Sequence, residues 1–450
     1  MTALNSREHK GGIVQMLLSG RLRGRAIWVL LAKLLASFLA LLFHFLLARQ
    51  LSSAQYGLFS LAMTCILFSC AFAKQGLEPL LIRHLAVKKQ AGIRDVYCFF
   101  ILYAGLSACV VAALLLLFGS FLALDIVKQP KLLELMPAMA MLTVLQTFLA
   151  VNSSALRGRG YPGVSLLFTG AVTFALALLF LLLQPPLTAV GAINQILFSS
   201  MFACLLSFAV TGSKLQLGVA SEQHGRSVLS GAMELIQNRP LLKGGKDLFV
   251  ISLAALATQQ LATVILARYA ELSEVASFAL AAKLALLMTY PLMVINAITA
   301  PMYARYWGQK QLTAFKSLSV KSNRVLLLAA TILLLLVYSL SQPLLGVFGS
   351  KYQNAVQLLQ ILALGHWVNL ATGSVVSMLI MAGHERVHRR NTLIITVVNI
   401  AALLWLVPLY GSYAAAWITC AAMVVKNLVA LYFVRKLIFS RIGESGNSMI

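Results

Sequence analysis

The chain has 450 residues, of which 60% are hydrophobic and only 11% are charged, and its mean hydropathy is +0.88. A soluble protein of this length carries about a quarter charged residues, so this chain cannot cover a water-facing surface. Composition therefore predicts an integral membrane protein. The net charge of +24 does not indicate nucleic-acid binding, because no soluble basic segment is long enough to form a domain that could hold a strand.

Twelve apolar stretches are each long enough to cross a bilayer, which takes about 20 residues of helix. Without alternation of period two, runs of this kind are helices rather than barrel strands. The predicted fold is all-α, with 12 transmembrane helices. The predicted spans, numbered 1 to 12, are roughly 27–47, 57–76, 97–118, 133–153, 164–184, 188–210, 248–267, 275–297, 325–342, 357–381, 391–408 and 412–434.

The positions of Lys and Arg predict how these spans are oriented. Of the 36 basic residues, 27 lie in the two tails and in the joins after even-numbered spans, five lie in the joins after odd-numbered spans, and four lie inside spans. Basic loops stay in the cytoplasm, so both termini are predicted to be cytoplasmic. The excess positive charge would then meet the anionic headgroups of the inner leaflet.

A repeated phrase divides the chain into halves. The stretch ARQLSSAQYGLFSLA (48–62) matches ARYAELSEVASFALA (267–281) at five of fifteen positions without a gap. Each copy joins an odd-numbered span to the next one, and a glycine ends both span 4 (Gly158) and span 10 (Gly383). Because six spans is an even number, both halves start on the same side. They are predicted to be parallel repeats, related by a pseudo-twofold axis along the membrane normal, with a central cavity between them.

The predicted domains follow from this repeat. They are a first lobe at 1–210 with helices 1–6, a cytoplasmic linker at 211–247, a second lobe at 248–434 with helices 7–12, and a cytoplasmic tail at 435–450. The linker contains GRSVLSGAMELIQNRPLLKGGKD, part of which is predicted to form an amphipathic helix on the cytoplasmic face.

Two stretches carry a resemblance to a known family. LSSAQYGLFSLA, followed by AKQGLEPLLIRHLA, resembles the start of the bacterial polysaccharide flippases of the multidrug/oligosaccharidyl-lipid/polysaccharide exporter superfamily. FALAAKLALLMTYPLMVINAITAPMYARYWGQ resembles that family's eighth helix and the loop after it. In helix count and half-repeat the resemblance covers essentially the whole chain.

This resemblance implies a V-shaped pair of six-helix lobes that work by alternating access in the cell inner membrane. It implies a substrate of isoprenoid-pyrophosphate-linked oligosaccharide units, moved from the cytoplasmic to the outer leaflet, with membrane lipids and the polysaccharide polymerase and assembly machinery as partners and no cofactor. The chain departs from the family in one respect. Many relatives carry an acid late in helix 7, whereas this stretch reads QLATVILARY.

Charged residues inside the spans are the first candidates for the substrate site, since a charge at the bilayer centre costs about 2.5–3.5 kcal/mol and marks a cavity unless it can snorkel. Lys283, in span 8, is interpreted as a cation for phosphate, with outward snorkelling as the alternative. Lys33, in span 1, can more easily snorkel. Lys74 is four residues from Glu78, so the two could form an ion pair or a gate. Lys426 is interpreted as a snorkelling anchor.

Uncharged polar residues could line a path for sugars, with hydrogen bonds between helices as the alternative. The complete predicted substrate-binding set is Lys283, Lys33, Lys74, Gln259, Asn296, His366 and Asn369. No catalytic residue and no metal site is predicted. The six cysteines lie in or beside apolar runs without a CxxC pair, which is typical of small buried residues.

Three function classes compete. A lipid-linked oligosaccharide flippase agrees with a core that contains lysines and almost no acids. A drug/cation antiporter of the sister family would need an intramembrane carboxylate, and a flippase for another lipid-linked precursor is a further alternative. A membrane enzyme would need a sizeable outside domain, which the short outside joins do not supply. No GxxxxGK[ST], HExxH or GxSxG motif is present, so no ATP-driven pump or familiar hydrolase is predicted.

Overall fold

The computed structural model describes residues 22–87, 93–215 and 239–440, and over these residues the regular secondary structure is entirely helical. Most of the basic N-terminal tail, the central part of the predicted linker (216–238) and the last ten residues lie outside the described residues. The predicted amphipathic helix falls largely in that central part. Residues 211–215 extend one span, and residues 239–247 begin the next.

The first lobe contains spans 1 to 6. Their bounds are Leu22–Gln50, Ser53–Lys74, Ile93–Leu117, Met136–Gly158, Pro162–Leu183 and Ala189–Leu215. A short helix, Leu77–Val87, follows span 2, and the join between spans 3 and 4 contains a π-helix, Phe121–Ile126, and a 3₁₀-helix, Pro130–Leu135.

The second lobe contains spans 7 to 12. Spans 7 to 10 are Arg239–Tyr269, Leu272–Gly308, Leu312–Phe348 and the bent pair Ala355–Ala371 with Val375–Met381. Spans 11 and 12 share the segment Glu385–Val434, which continues into a π-helix at Arg435–Phe439.

Gly411 separates span 11 from span 12. Its φ of 56° lies in the left-handed region, where glycine has no Cβ to strain the backbone. Ser412 then begins span 12, and its backbone N–H donates to Oε2 of Glu274 at 3.4 Å. Span 11 starts beside Ala382, and span 12 returns to the same region, where Ala430 shares a hydrophobic core with Ala382. The chain therefore reverses at Gly411, which completes the twelve spans over the described residues.

Three hydrophobic cores show how the lobes meet. The largest contains residues of both lobes, among them Phe43, Tyr56, Phe278 and Leu359. It lies at the end of the molecule that holds the joins after odd-numbered spans, here called the joined end. At the opposite, open end, one core contains only first-lobe residues and another only second-lobe residues. The lobes therefore share one core at the joined end and diverge towards the open end, where Phe72 keeps a ring contact with Phe249.

Gly57 allows the closest approach between the lobes. It lies in the first turns of span 2, inside the repeated phrase, and it packs against the beginning of span 8. A Cβ at this position would collide with the backbone carbonyl of Leu272. The absence of a side chain is therefore a steric requirement for the contact between spans 2 and 8.

The repeated phrase marks a pair of reciprocal contacts between the lobes, here called the clasps. In the first clasp, the join after span 9 reaches across to the end of span 1. The hydroxyl of Tyr352 donates to the carbonyl of Ala48 at 3.3 Å, and the Lys351 ammonium donates to the carbonyl of Leu51. Span 1 ends here, so Lys351 places a positive charge at the negative end of a helix dipole.

In the second clasp, the join after span 3 reaches across to the end of span 7. The side-chain amide of Gln129 donates to the carbonyl of Ala267 at 2.9 Å. The Arg268 guanidinium donates to the carbonyls of Asp125 and Ile126, the latter at 2.6 Å. Ala48 and Ala267 are equivalent positions of the repeat, so each lobe holds the matching residue of the other.

Candidate functional site

A cavity of about 220 Å³ lies between the lobes and is lined mainly by the second lobe. Span 2 supplies the first-lobe wall, and spans 7, 8, 10 and 12 supply the rest. The polar lining residues are Ser60, Thr64, Thr258, Gln259, Gln260, Thr263, Lys283, Thr289, His366, Asn369, Thr419, Lys426 and Asn427.

Equal spacing along the helices places four of these residues at one depth. Thr64, Thr258, Lys283 and His366 each lie 11 residues from the joined-end terminus of their helix. At 1.5 Å per residue, this is about 16 Å from the joined end, close to the middle of a hydrocarbon core of about 30 Å. The cavity therefore presents a polar layer at mid-membrane depth.

Four of the seven predicted site residues come together in this cavity: Lys283, Gln259, His366 and Asn369 line it. They belong to three different helices, so their proximity depends on how spans 7, 8 and 10 pack. Spans 7 and 11 are fixed to each other by a buried hydrogen bond of 2.8 Å between the hydroxyls of Thr258 and Thr396.

Lys283 also touches the first lobe. Its Nζ lies 3.1 Å from Nδ1 of His44 in span 1 and 5.6 Å from the centre of the Tyr56 ring in span 2. The residue is half-buried, and its ammonium group lies against spans 1 and 2. The lysine thus lines the cavity and contributes a contact between the lobes at the same time.

Two buried polar atoms of the cavity wall lack a hydrogen-bond partner among the described residues. They are Nδ1 of His366, on a residue that is 5% exposed, and Oγ1 of Thr419, on a residue that is 4% exposed. A buried polar group without a partner costs about 1–3 kcal/mol. Both side chains are therefore available to a polar ligand such as a hydroxyl group.

Lys33, Lys74 and Asn296 are not among the lining residues of this cavity. Lys33 precedes His44 by 11 residues on the same continuous helix, which is about three full turns, so both lie on one face of span 1. Lys33 therefore lies on the face of span 1 that meets Lys283 of the second lobe, nearer to the open end.

Lys74 takes part in an ion pair. Its Nζ lies 2.8 Å from Glu78, which also receives Nη2 of Arg157 at 3.2 Å. The pair spans a break, since Gln75 has a φ of 44° and a new helix begins at Leu77. Burial raises the pKa of Glu78, but the charges and hydrogen bonds of Lys74 and Arg157 outweigh burial, and the pKa lies below its ordinary value.

Asn296 lies in the second half of span 8, beyond a 3₁₀ turn at Leu287–Thr289. The side chain is half-buried, and its Oδ1 has no hydrogen-bond partner among the described residues. The turn separates this residue from Lys283, which lies in the first half of the span.

Lys426 lines the cavity, although the sequence interpretation made it a snorkelling anchor and left it out of the substrate-binding set. A signal was present in the sequence, because Thr419, Met423, Lys426 and Asn427 have the i, i+4, i+7, i+8 spacing of one helix face. A polar stripe on an otherwise apolar span indicates a surface that faces a cavity or another helix.

The charges of the cavity wall have one sign. The lining contains two lysines, Lys283 and Lys426, and within the described residues it contains no Asp or Glu. The described chain also holds no group of three His, Cys, Asp or Glu side chains placed to bind a metal ion. Such a wall can attract an anion and offer hydroxyl, amide and imidazole groups to a polar ligand.

A search of the solved structures finds the same fold in transporters. An inward-facing multidrug resistance MATE family transporter of the MOP superfamily matches with a TM-score of 0.65 and 13% identity, over 92% of this chain and 98% of the other. The outward-facing conformation of a MATE family transporter matches with a TM-score of 0.55 and 11% identity, over 94% and 98%. The lipid II flippase MurJ, in an inward closed conformation, matches with a TM-score of 0.65 and 14% identity, over 91% and 87%.

The helices and these likenesses therefore show a multi-pass membrane protein with the fold of these transporters. The predicted fold class is confirmed: twelve helices form two six-helix lobes related by a pseudo-twofold axis along the membrane normal. The polysaccharide biosynthesis protein family model matches residues 22–307, and the chain belongs to that family. The MatE family model matches residues 249–409. No curated protein matches this sequence.

Proposed function

We propose that this transporter flips isoprenoid-pyrophosphate-linked oligosaccharide units from the cytoplasmic to the outer leaflet, for the assembly of cell-surface polysaccharide. The observation that carries the proposal is the cavity wall with two lysines and no carboxylate among its lining residues. A diphosphate inside the membrane needs fixed positive charge, because an unpaired ion in a low-dielectric medium is strongly disfavoured. The polysaccharide biosynthesis family supports this substrate class.

Each part of the headgroup has a partner in this scheme. Lys283 and Lys426 bind the diphosphate, and Gln259, His366 and Asn369 bind sugar hydroxyls. Hydrogen bonds to charged groups contribute about 1.5–3 kcal/mol each, which holds a diphosphate without trapping it. Towards the open end, Lys33 meets the substrate first, and Lys74 and Asn296 flank the approach. The isoprenoid tail stays in the bilayer.

The open end faces the cytoplasm in this proposal. The helix termini at that end carry basic residues such as Arg157, Arg305 and Arg386, which favours a cytoplasmic location. In this proposal the protein lies in the cell inner membrane, and both termini lie in the cytoplasm. The first lobe comprises 1–210, the linker 211–247, the second lobe 248–434 and the tail 435–450. The higher similarity to the inward-facing MATE structure supports a cavity open to the cytoplasm.

Cysteine labelling tests this orientation. A cysteine at Ser52 or Glu271, both exposed at the joined end, should react with an impermeant reagent from outside the cell. A cysteine at Lys316, exposed near the start of span 9, should react only after permeabilisation. Labelling of position 316 in intact cells contradicts the orientation.

Substitution of Lys283 tests the function. Lys283→Ala should abolish surface polysaccharide at unchanged protein abundance, and Lys283→Arg should retain part of the export because it keeps the charge. Lys33→Ala should have a milder effect, since Lys33 lies outside the cavity. Lys316→Ala removes an exposed lysine elsewhere and is the matched control. Export at the wild-type level from Lys283→Ala would end the proposal.

A second candidate is the export of cationic drugs, which the MatE match to residues 249–409 favours. That chemistry needs a carboxylate to exchange a proton for a cation, and the cavity lining contains none among the described residues. Cells that express the protein should therefore accumulate a cationic dye to the same level as cells that lack it. Lower accumulation in the expressing cells would favour the drug transporter.

The polysaccharide polymerase and assembly machinery are proposed partners, and co-purification from polysaccharide-producing cells tests them.

A further inference from the structure

His44 occupies an enclosed position at the contact between the lobes. Its half-buried imidazole is surrounded by four aromatic rings, with ring centres 5.7–6.3 Å away: Phe43, Tyr56, Phe59 and Phe174. His44 is not among the residues that line the cavity. Its Nδ1 nevertheless contacts the ammonium group of Lys283, which does line the cavity.

The geometry assigns a role to one atom of this histidine. Nδ1 of His44 lies 3.1 Å from Nζ of Lys283, and the hydroxyl of Tyr56 points to the same atom at 3.5 Å. A charged lysine has three donors and no acceptor, so Nδ1 must supply a lone pair. In this conformation the imidazole is therefore neutral, with its proton on Nε2.

We propose that Nδ1 of His44 is a proton-binding site whose occupation is incompatible with the Lys283 contact, so that protons drive the lobes apart at the joined end. A proton on Nδ1 removes the only lone pair that accepts from Lys283, and it places two cations within 3.1 Å of each other. His44 and Lys283 belong to opposite lobes, so the loss of their contact weakens the closed joined end. By linkage, closure of the joined end expels the proton.

The proposal rests on the proposed function for its direction of transport. When the diphosphate binds Lys283, the ammonium is drawn away from His44, and the lone pair of Nδ1 becomes available. With the joined end open, a proton from outside adds to that lone pair, and no other bond changes. After the substrate leaves, dissociation of this proton restores the lone pair of Nδ1, Lys283 returns to His44, and the joined end closes.

Among side chains, histidine is the one whose unperturbed pKa lies near neutral pH. Phe43 and Lys283 face it from spans 1 and 8, Tyr56 and Phe59 from span 2, and Phe174 from span 5. Behind Tyr56 lies the ring of Tyr352, at 6.1 Å. Among these described neighbours there is no carboxylate, and Lys283 is the charged group that acts on His44.

The distance between two spin labels measures the separation of the lobes without any substrate. Leu187 in the first lobe and Tyr410 in the second are exposed at the joined end and lie away from the clasps. Labels are attached at Leu187→Cys and Tyr410→Cys, in a background with Cys98→Ser and Cys109→Ser, because the other four cysteines are buried. The protein is studied in lipid nanodiscs between pH 5 and pH 9.

The separated population should increase at least tenfold as the pH falls from 8 to 5, with the slope of a single proton. His44→Gln keeps an acceptor for Lys283 but cannot gain the charge, so its populations should not change with pH. Tyr56→Phe removes one donor to Nδ1, which makes protonation easier, so its transition should move by about half a pH unit to higher pH.

A wild-type protein without pH dependence, or the same transition in His44→Gln, overturns the proton site. A transition in Tyr56→Phe at the same pH as in the wild type also contradicts the proton site. Tyr56→Phe keeps the aromatic ring beside Lys283, so this variant still tests the proposal if His44→Gln fails to fold. The outcomes separate this proposal from the proposed function. If the lobe separation does not respond to pH but export still depends on Lys283, the proposed flippase function stands and the proton site is refuted. If the separation responds to pH but export does not depend on Lys283, the proton site stands and the proposed flippase function is refuted.

Discussion

The joined and open ends of the molecule are built differently. At the joined end, one apolar core belongs to both lobes, and two clasps tie the loops of each lobe to the helix ends of the other. At the open end, each lobe has an apolar core of its own, and a ring contact between Phe72 and Phe249 joins the two lobes. In the first lobe, Tyr97 donates to Asn152 at 2.7 Å, and in the second lobe Tyr303 lies 3.1 Å from Ser322. Each lobe can therefore move as one body, and the free energy that resists the motion is concentrated at the joined end.

The two lobes also differ in what they offer to a ligand. The second lobe provides both lysines, the histidine and the amides of the cavity wall, whereas span 2 provides Ser60, Met63, Thr64 and Leu67. A ligand in the cavity would therefore be held mainly by the second lobe, and the first lobe would move relative to it.

The most severe disruption of the joined end is expected at Gly57. Gly57→Ala places a methyl group against the carbonyl of Leu272, so spans 2 and 8 must separate. Overpacking of this kind costs about 3 kcal/mol, which should make the separated population dominant between labels at positions 187 and 410. Gly346→Ala is the control, because a Cβ there meets no atom within 4 Å. Equal label distances in the two variants would show that the contact at Gly57 is not required.

The clasps should contribute equally if they are functional equivalents. Lys351→Met breaks the first and Arg268→Met breaks the second, and each loss of a charged hydrogen bond should raise the separated population about tenfold. The double variant should show about a hundredfold increase, since the clasps are distant and independent. Lys131→Met, at an exposed position of the same face, should change nothing. An effect from only one variant would show that the contacts are not a functional pair.

A smaller effect is expected from Lys426, which sharpens the contrast between the lobes. Lys426→Ala should reduce polysaccharide export several-fold at constant protein abundance, because it removes one of the two positive charges of the second-lobe wall. Lys436→Ala, an exposed lysine ten residues further along, is the matched control. If both variants export normally, Lys426 is only a membrane anchor.

The smallest effect concerns the ion pairs at the open end. Glu78→Gln should destabilise the purified protein by about 1 kcal/mol at pH 7, since it removes the contacts to Lys74 and Arg157 at a partly exposed position. The pKa of Glu78 is lowered, so this stabilisation is present above the ordinary pKa of a glutamate and is lost as the pH falls through the lowered value. The difference in thermal stability between the two proteins should therefore shrink in acid. A difference in thermal stability that does not change with pH would show that Glu78 stabilises the protein through packing rather than through its charge.

The sequence by itself determined the membrane class, the twelve spans, the half-repeat and the family, because hydropathy and repeated phrases are local properties that need no knowledge of packing. It also indicated Lys283, Gln259, His366 and Asn369, since polar residues inside apolar spans are conspicuous. Only the tertiary structure decided that Lys426 joins them, that Lys33 lies outside the cavity and that Lys283 meets His44. Only the tertiary structure also showed that the repeated phrase marks the two clasps, because the clasps join residues 138 to 304 positions apart. Contacts of this kind depend on how two lobes pack against each other, which hydrophobic periodicity within a single helix does not encode.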